Sequence, residues 1–221
     1  MARASGSRLR PVTAFPHAAV DRFVIRQRVR LVGNRYEVRL AGPKDEEGDL
    51  VAFVQQKTFA LKEDLRFFAD EDKTTELFRV KARQAFDPTG RYRVTDPAGV
   101  AIGELAKAFK RSLARSTWRI YDKPGSKEEL AWATERSLFR SLLRRLLSLG
   151  GFIPIVGDLI GLIPIRYHFD FFIGDRDVGG LERKFGIRDR YVLDLSGDQE
   201  RLIDRRLAIA LAVAMDALQA R

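Results

Sequence analysis

The sequence predicts a mainly β protein (β+α): a closed antiparallel β-barrel around a central hydrophobic C-terminal helix, with a helix and an apolar segment inserted near 136–165. Two features of the sequence favour this fold. Many short segments alternate apolar and polar residues with a period of two, which is typical of half-buried strands. The chain then closes with residues 207–215, which are apolar on every side of a helix and must be covered.

The composition indicates a single globular domain preceded by a basic arm. The chain has 221 residues, of which 45% are hydrophobic, enough for a sizeable core. Residues 1–20 contain no acidic side chain and no long apolar run, so we assign them to a disordered basic arm and 21–221 to the domain. Because the chain has no cysteine and only His17 and His168 as histidines, the composition excludes disulfides and thiol catalysis and argues against a histidine-rich metal site.

The predicted strands follow one another at a nearly regular spacing. Period-two patterns place them at 23–31, 36–40, 50–54, 77–82, 91–95, 100–105, 117–121, 129–134, 166–173, 178–185 and 191–195. Gly33-Asn34 is a hairpin turn signal, and turns with proline and glycine occur at 87–90, 96–99 and 123–125. Closure into a barrel would remove the exposed strand edges that such a chain otherwise presents.

The C-terminal helix is predicted over 199–219. From Asp204 onward, good helix formers follow one another without glycine or proline. The wholly apolar stretch 207–215 rises only about 13–14 Å as a helix, less than half the thickness of the hydrocarbon core of a bilayer. We therefore expect protein, and not lipid, to surround this helix.

Three stretches of the sequence resemble the LURP-one-related proteins. They are YRVTDPAGVAIGEL from Tyr92, RDRYVLDL from Arg188 and DRRLAIALAVAMD from Asp204. Together with the phospholipid scramblases, these proteins belong to the tubby C-terminal-like superfamily, and the resemblance extends over about residues 22–218. It implies a twelve-strand antiparallel barrel around a central helix and a non-enzymatic role at membranes that carry phospholipids or phosphoinositides.

The segment 136–165 is an insertion that the resemblance does not require. Residues 137–149 have the pattern of a helix with leucines on one side, and from Leu146 to Ile165 the only charged residue is Asp158. Three interpretations stay open: an interfacial hairpin that dips below lipid head groups, a strap packed over the barrel, and a membrane span. The preceding arginines favour the interfacial hairpin. Its predicted membrane contacts are Phe152, Ile153, Ile155, Val156, Leu159, Ile160, Leu162 and Ile163.

Basic residues are the candidates for a binding function. The formal net charge is +10, and it is concentrated in 1–30, with seven arginines and one acidic residue, and in 107–145, with eleven basic and four acidic residues. Two such zones indicate an anionic partner. The candidate ligands of lipid head groups are Lys107, Lys110, Arg111, Arg115, Arg119, Arg140, Arg144, Arg145, Arg183 and Lys184.

No motif in the sequence makes a case for an enzyme or a cofactor. His168 and Asp170 share one face of a predicted strand without an accompanying nucleophile, and strand alternation accounts for them. Asp194 and Asp198 have the alternate spacing of a calcium loop, but Gln199 replaces the loop glycine. Helix capping by Ser196 or Asp198 is therefore the favoured interpretation of this segment, and calcium binding is the alternative.

We therefore predict a non-enzymatic, cytoplasmic protein that docks on the cytoplasmic face of a membrane and binds anionic phospholipid or phosphoinositide, with scramblase-like lipid translocation as a further option. The alternative is a soluble regulatory or interaction module that binds nucleic acid or a protein partner through the same basic zones. Between Lys107 and Arg119 only Phe109 and Trp118 offer aromatic stacking, which favours the membrane over nucleic acid. The sequence predicts no oligomeric state.

Overall fold

The protein is a closed barrel of twelve antiparallel strands with a helix inside it, which confirms the predicted fold. The computed structural model describes residues 15–28, 35–56, 64–82, 90–108, 117–135, 168–184 and 190–219. The strands are β1 (Arg22–Arg28), β2 (Arg35–Ala41), β3 (Glu47–Gln56), β4 (Asp64–Phe68), β5 (Glu76–Ala82), β6 (Arg91–Thr95), β7 (Ala101–Ala108), β8 (Thr117–Tyr121), β9 (Ala131–Glu135), β10 (His168–Ile173), β11 (Arg176–Lys184) and β12 (Arg190–Asp194), and they are followed by helix α1 (Arg205–Gln219).

Each strand pairs with its neighbours in sequence, and β1 pairs with β12 to close the barrel. The connections therefore alternate between the two ends. At the lower mouth, where α1 begins, they are 42–46, 69–75, 96–100, 122–130, 174–175 and the segment 195–204 that leads into the helix. At the upper mouth, where α1 ends, they are 29–34, 57–63, 83–90, 109–116, 136–167 and 185–189, of which only Gly90 is among the described residues.

One strand escaped the sequence patterns. β4 comprises only Asp64–Phe68, and its pairing with β5 shifts register between Phe67 and Phe68. The adjacent phenylalanines break the alternation on which the strand predictions depend. The other eleven strands coincide with predicted segments, with ends that differ by a few residues.

The barrel wall surrounds α1 completely. Every residue of 207–215 is at most 2% exposed, which confirms that protein and not lipid covers this apolar helix. Inward-facing side chains of the strands, such as Phe23, Val54 and Phe169, share one core with the helix. Alanines alternate with larger side chains along α1, so the helix is slim enough to fit inside a twelve-strand wall.

The helix begins at Arg205, whereas the sequence predicted 199. Asp204 is the N-cap: its carboxylate accepts the N–H of Arg206 at 2.9 Å. The earlier Asp198 carboxylate accepts the N–H groups of Leu202 and Ile203, both at 3.0 Å, and so turns the chain before the helix starts. Asp198 therefore shapes the loop that precedes the helix and does not cap the helix itself.

The chain crosses the lower mouth just before β1. The Phe15 ring packs edge-on against Phe78 with 6.2 Å between the ring centroids and is 8% exposed. Arg205 donates to the carbonyl of Val20 at 3.1 Å, and Arg201 donates to that of Ala19 at 3.0 Å. Residues 15–20, assigned to the arm by the sequence, are thus packed on the mouth, while 1–14 lie outside the described residues.

The predicted insertion 136–165 also lies outside the described residues. It belongs to the connection between β9 and β10, and the strand ends that it joins, Glu135 and His168, are at the upper mouth. Within the described part of the chain, no helix has the length and apolar character needed to cross a bilayer.

Candidate functional site

The lower mouth is acidic. By sequence, its six connections hold thirteen acidic residues and five basic ones, the latter being Lys44, Lys73, Lys123, Lys127 and Arg201. The exposed carboxylates of these connections are Glu46, Glu71, Asp72, Asp122, Glu128, Glu129, Asp175 and Glu200. They are distributed over five of the six connections. Four of these surround the mouth, and 42–46 lies along the outer wall, where Asp45 contacts Arg22 and Lys184.

The connections at the upper mouth have the opposite charge. By sequence they hold four acidic residues, Glu63, Asp87, Asp158 and Asp189, against thirteen basic ones. The basic residues are Arg30, Lys57, Lys62, Arg83, Lys110, Arg111, Arg115, Arg136, Arg140, Arg144, Arg145, Arg166 and Arg188. Six of the ten predicted head-group ligands and all eight predicted membrane contacts belong to these connections, outside the described residues.

The Asp216 carboxylate lies near the C-terminal end of α1, at the upper mouth. Asp216 accepts hydrogen bonds from the hydroxyls of Tyr36, at 2.9 Å, and Tyr191. Burial raises the pKa of the Tyr36 phenol far above its ordinary value, and the Asp216 charge raises it further. Tyr36 therefore stays protonated and remains a donor. The two phenols hold the negative charge of Asp216 at a helix end where the helix dipole opposes it.

Two of the described candidate ligands face inward at the upper mouth. Lys107 lies on the same face of β7 as Leu105, and its Nζ is 5.8 Å from the ring centroid of the buried Trp118. Arg183 lies on the inward face of β11, opposite Tyr191 of β12. β7 and β11 lie on different sides of the barrel, so these cations do not form one pocket.

The other two described candidates lie on the outer wall and are ion-paired. Arg119 Nε is 3.0 Å from a carboxylate oxygen of Glu129. Lys184 Nζ contacts Glu182 at 2.8 Å and Asp45 at 3.1 Å. The hydrogen bond to Glu182 is the main reason that the pKa of Lys184 is raised, and Asp45 adds to it. Both side chains would have to leave these carboxylates to bind a phosphate.

Sequence reasoning missed a cleft on the outer wall beside Lys184. It has a volume of about 300 Å³ and crosses β10, β11, β12 and β1. Gly179, with φ of 139°, and Gly180 form part of its floor, and a Cβ on Gly179 would collide with the Asp194 carbonyl oxygen. Paired glycines inside a strand are the sequence signal that could have indicated this cleft. Its charged lining consists of Arg22, Lys184, Asp45, Asp170, Asp177, Glu182 and Asp194, with His168 beside them.

The carboxylates considered for calcium are engaged by donors of the protein. Asp194 accepts from Arg22 Nε at 3.1 Å and from the N–H of Ser196 at 2.9 Å. Asp198 accepts from Arg205 at 2.8 Å as well as from the backbone. In the part of the chain that the structure describes, no group of three or more His, Cys, Asp or Glu side chains is arranged to hold a metal ion. Calcium binding here stays a prediction, and the ion would have to displace these donors.

A protein-family model matches most of the sequence that forms this closed barrel and its helix. The model of the LURP-one-related family matches residues 50–216, from β3 almost to the end of α1. The chain belongs to the LURP-one-related family. Through it, the chain belongs to the tubby-like C-terminal superfamily, as the resemblance implied. No curated protein matches this LURP-one-related chain.

Proposed function

We propose that this LURP-one-related protein is a non-enzymatic peripheral protein of the cytoplasmic membrane face, which binds anionic phospholipid or phosphoinositide head groups at its upper mouth. One observation carries the proposal. The connections at that mouth combine thirteen basic residues with the apolar segment 146–165, and only four acidic residues accompany them. Family membership supports the same conclusion at a coarser level, because the tubby-like barrel is associated with lipid binding.

Charge and apolar contact both favour attachment to an anionic membrane. Each lysine or arginine near an anionic leaflet contributes about 1 kcal/mol to attachment, and the attraction fades within a Debye length of the surface. Apolar side chains next to such cations add binding energy when they dip below the head groups. In this chain Arg140, Arg144 and Arg145 directly precede the apolar segment, so the same connection supplies both contributions. These charges support binding of lipid and say nothing specific about its translocation.

The assignment of no enzymatic activity is part of the same proposal. The described charged groups that could suggest catalysis have structural explanations. His168 and Asp170 lie on the outer face of β10 next to a cleft, and none of the described residues that line this cleft is a serine or a cysteine. Buried charged groups such as Asp198 and Arg205 pair with each other and with the backbone. None of these arrangements supports a nucleophile with its base.

Co-sedimentation with vesicles tests the proposal. The full chain is mixed with phosphatidylcholine vesicles that contain or lack phosphatidylserine, and is compared with a chain that lacks 150–165. We expect the full chain to sediment only with the anionic vesicles, and the shortened chain to bind them less tightly. Equal recovery with both vesicle types would contradict the proposal.

A pair of charge variants identifies the surface that binds. Arg144→Gln with Arg145→Gln removes two charges at the upper mouth, and Lys123→Gln with Lys127→Gln removes two exposed charges at the lower mouth. At about 1 kcal/mol for each charge, the first pair is expected to weaken binding to anionic vesicles by about 30-fold. The second pair is expected to change binding by less than about twofold. Equal losses would mean that only net charge matters.

A further inference from the structure

We infer that the barrel docks upright, with its axis along the membrane normal, the C-terminal end of α1 towards the bilayer and the lower mouth pointing away from it. This rests on the proposed function and adds the orientation of the docked molecule. The orientation follows from three features of the described barrel that the proposed function does not use. They are the exposed carboxylates of the lower mouth, the length of the strands and the ion pairs on the wall.

The first observation is that exposed carboxylates surround the lower mouth. Asp72 lies between β4 and β5, Glu128 between β8 and β9, Asp175 between β10 and β11, and Glu200 between β12 and α1. Since the strands follow one another round the barrel, these carboxylates are spread round its circumference. Tilting the barrel in any direction therefore brings acidic side chains towards an anionic surface, which repels them.

The second observation is the distance between the two mouths. β5 has seven residues, which span about 20 Å at 3.3 Å per residue and about 15 Å along the axis of a barrel with tilted strands. The Debye length is about 8 Å at physiological salt. In an upright barrel the carboxylates are thus beyond the reach of the surface charge, whereas a barrel lying on its side places them against it.

The third observation is that outward-facing cations in two parts of the wall surround buried carboxylates. Arg28 and Arg39 flank the fully buried Glu37, with Arg39 Nε at 3.2 Å. On the far side of the barrel, Arg91 and Arg93 contact the fully buried Glu104 at 3.1 and 3.3 Å. Removing such a cation to a phosphate would leave a buried carboxylate without its partner, so the wall competes poorly with the upper mouth for lipid.

Spin labels at the two ends of one strand test the orientation. The chain has no cysteine, so Asp72→Cys and Lys81→Cys each create a single labelling site at an exposed position. Position 72 is in the lower-mouth connection before β5, and position 81 is near the upper end of β5. On phosphatidylcholine vesicles that contain phosphatidylserine, the nitroxide at 81 is expected to lie about 15 Å closer to the bilayer than the one at 72.

Three pairs of neutralising substitutions provide a second readout, which needs no label. They are Glu71→Gln with Asp72→Asn, Asp122→Asn with Glu128→Gln, and Asp175→Asn with Glu200→Gln, on three sides of the lower mouth. For an upright barrel, each pair changes the affinity for the same vesicles by less than about twofold. A barrel tilted to one side would bind at least about tenfold more tightly when the carboxylates of that side are neutralised.

The possible results separate the two proposals. Equal depths at positions 72 and 81, a deeper label at 72, or tighter binding by one neutralised pair would overturn the upright orientation while lipid binding stands. Failure of both labelled proteins and of the unlabelled chain to sediment with the anionic vesicles would overturn the proposed function, and this inference with it.

Discussion

A salt bridge at the base of α1 joins two buried charges, Asp198 and Arg205. Asp198 is fully buried and Arg205 is 1% exposed, and Arg205 also reaches Asp21 at 2.6 Å. Burial alone would raise the pKa of Asp198, but hydrogen bonds from Arg205 and from the N–H groups of Ile203 and Leu202 outweigh it, so the pKa is lowered. Because the folded protein holds the ionised carboxylate more tightly than the unfolded chain does, this group stabilises the fold above the ordinary pKa of aspartate.

Replacement of Asp198 therefore has an effect that depends on pH. Asp198→Asn leaves Arg205 buried with only part of its carboxylate partners, and we expect it to reduce the free energy of unfolding by about 3 kcal/mol near neutral pH. The wild type loses this advantage as pH falls below about 4 and Asp198 takes up a proton, so the two proteins converge. Urea denaturation over a pH series measures the difference.

The exposed Asp175 at the same mouth supplies the control for that experiment. Asp175→Asn is expected to leave the free energy of unfolding unchanged within about 0.5 kcal/mol at every pH. A difference between wild type and Asp198→Asn that stayed constant as the pH fell would show that the charge of Asp198 is not what stabilises the fold.

At the scale of the element, the fit of α1 into the wall depends on a glycine. A Cβ on Gly103 of β7 would lie 2.9 Å from Leu207 Cδ1 of the helix and would collide with the Tyr121 carbonyl oxygen of β8. Glycine is thus required here because both the helix and the next strand approach the β7 backbone closely. The position of α1 inside the barrel therefore depends on the glycine in β7.

The substitution Gly103→Ala tests this close approach. We expect it to reduce the free energy of unfolding by about 3 kcal/mol, at the upper end of the range for overpacked cores, because backbone atoms cannot move aside cheaply. Gly125→Ala is the comparison: its φ of 75° is strained for alanine, but nothing lies within 4 Å, and about 1 kcal/mol is expected. Thermal or urea unfolding compares the two. A smaller loss at position 103 than at 125 would contradict the account.

Local patterns in the sequence predict which strands and helices form better than they predict the residues at which these elements begin and end. The all-round apolar stretch 207–215 indicates a helix that needs a complete wall, and period-two segments supply that wall. The sequence indicated capping before residue 199, and only the contacts show that Asp204 caps the helix, which begins at Arg205. The five-residue strand β4 could not be found, because its adjacent Phe67 and Phe68 break the alternation.

At the scale of the whole molecule, the number of strands decides at which mouth each charged connection begins and ends. In a barrel of sequential antiparallel strands, each connection lies at the opposite end from the previous one, so a single missed strand reverses the assignment of every later connection. Without β4, the basic connections 29–34 and 109–116 would have been placed at opposite mouths. The basic residues of the candidate site were therefore predictable from the sequence, but their common location was not.

The described candidates also show where prediction from charge alone fails. Arg119 and Lys184 were selected because they are basic, yet each is held by carboxylates that come close only in the folded barrel. The six candidates in the upper-mouth connections have few acidic neighbours in the sequence. The central claim is therefore that the upper mouth attaches the protein to an anionic membrane.

A binding titration at increasing salt, with anionic vesicles and duplex DNA in parallel, tests that claim most directly. We predict binding to vesicles of phosphatidylcholine with phosphatidylserine that weakens as salt screens the basic mouth, and weaker binding to DNA under the same conditions. Binding to DNA with a steep salt dependence, together with no binding to the vesicles at any salt concentration, would contradict the claim and favour a nucleic-acid-binding module.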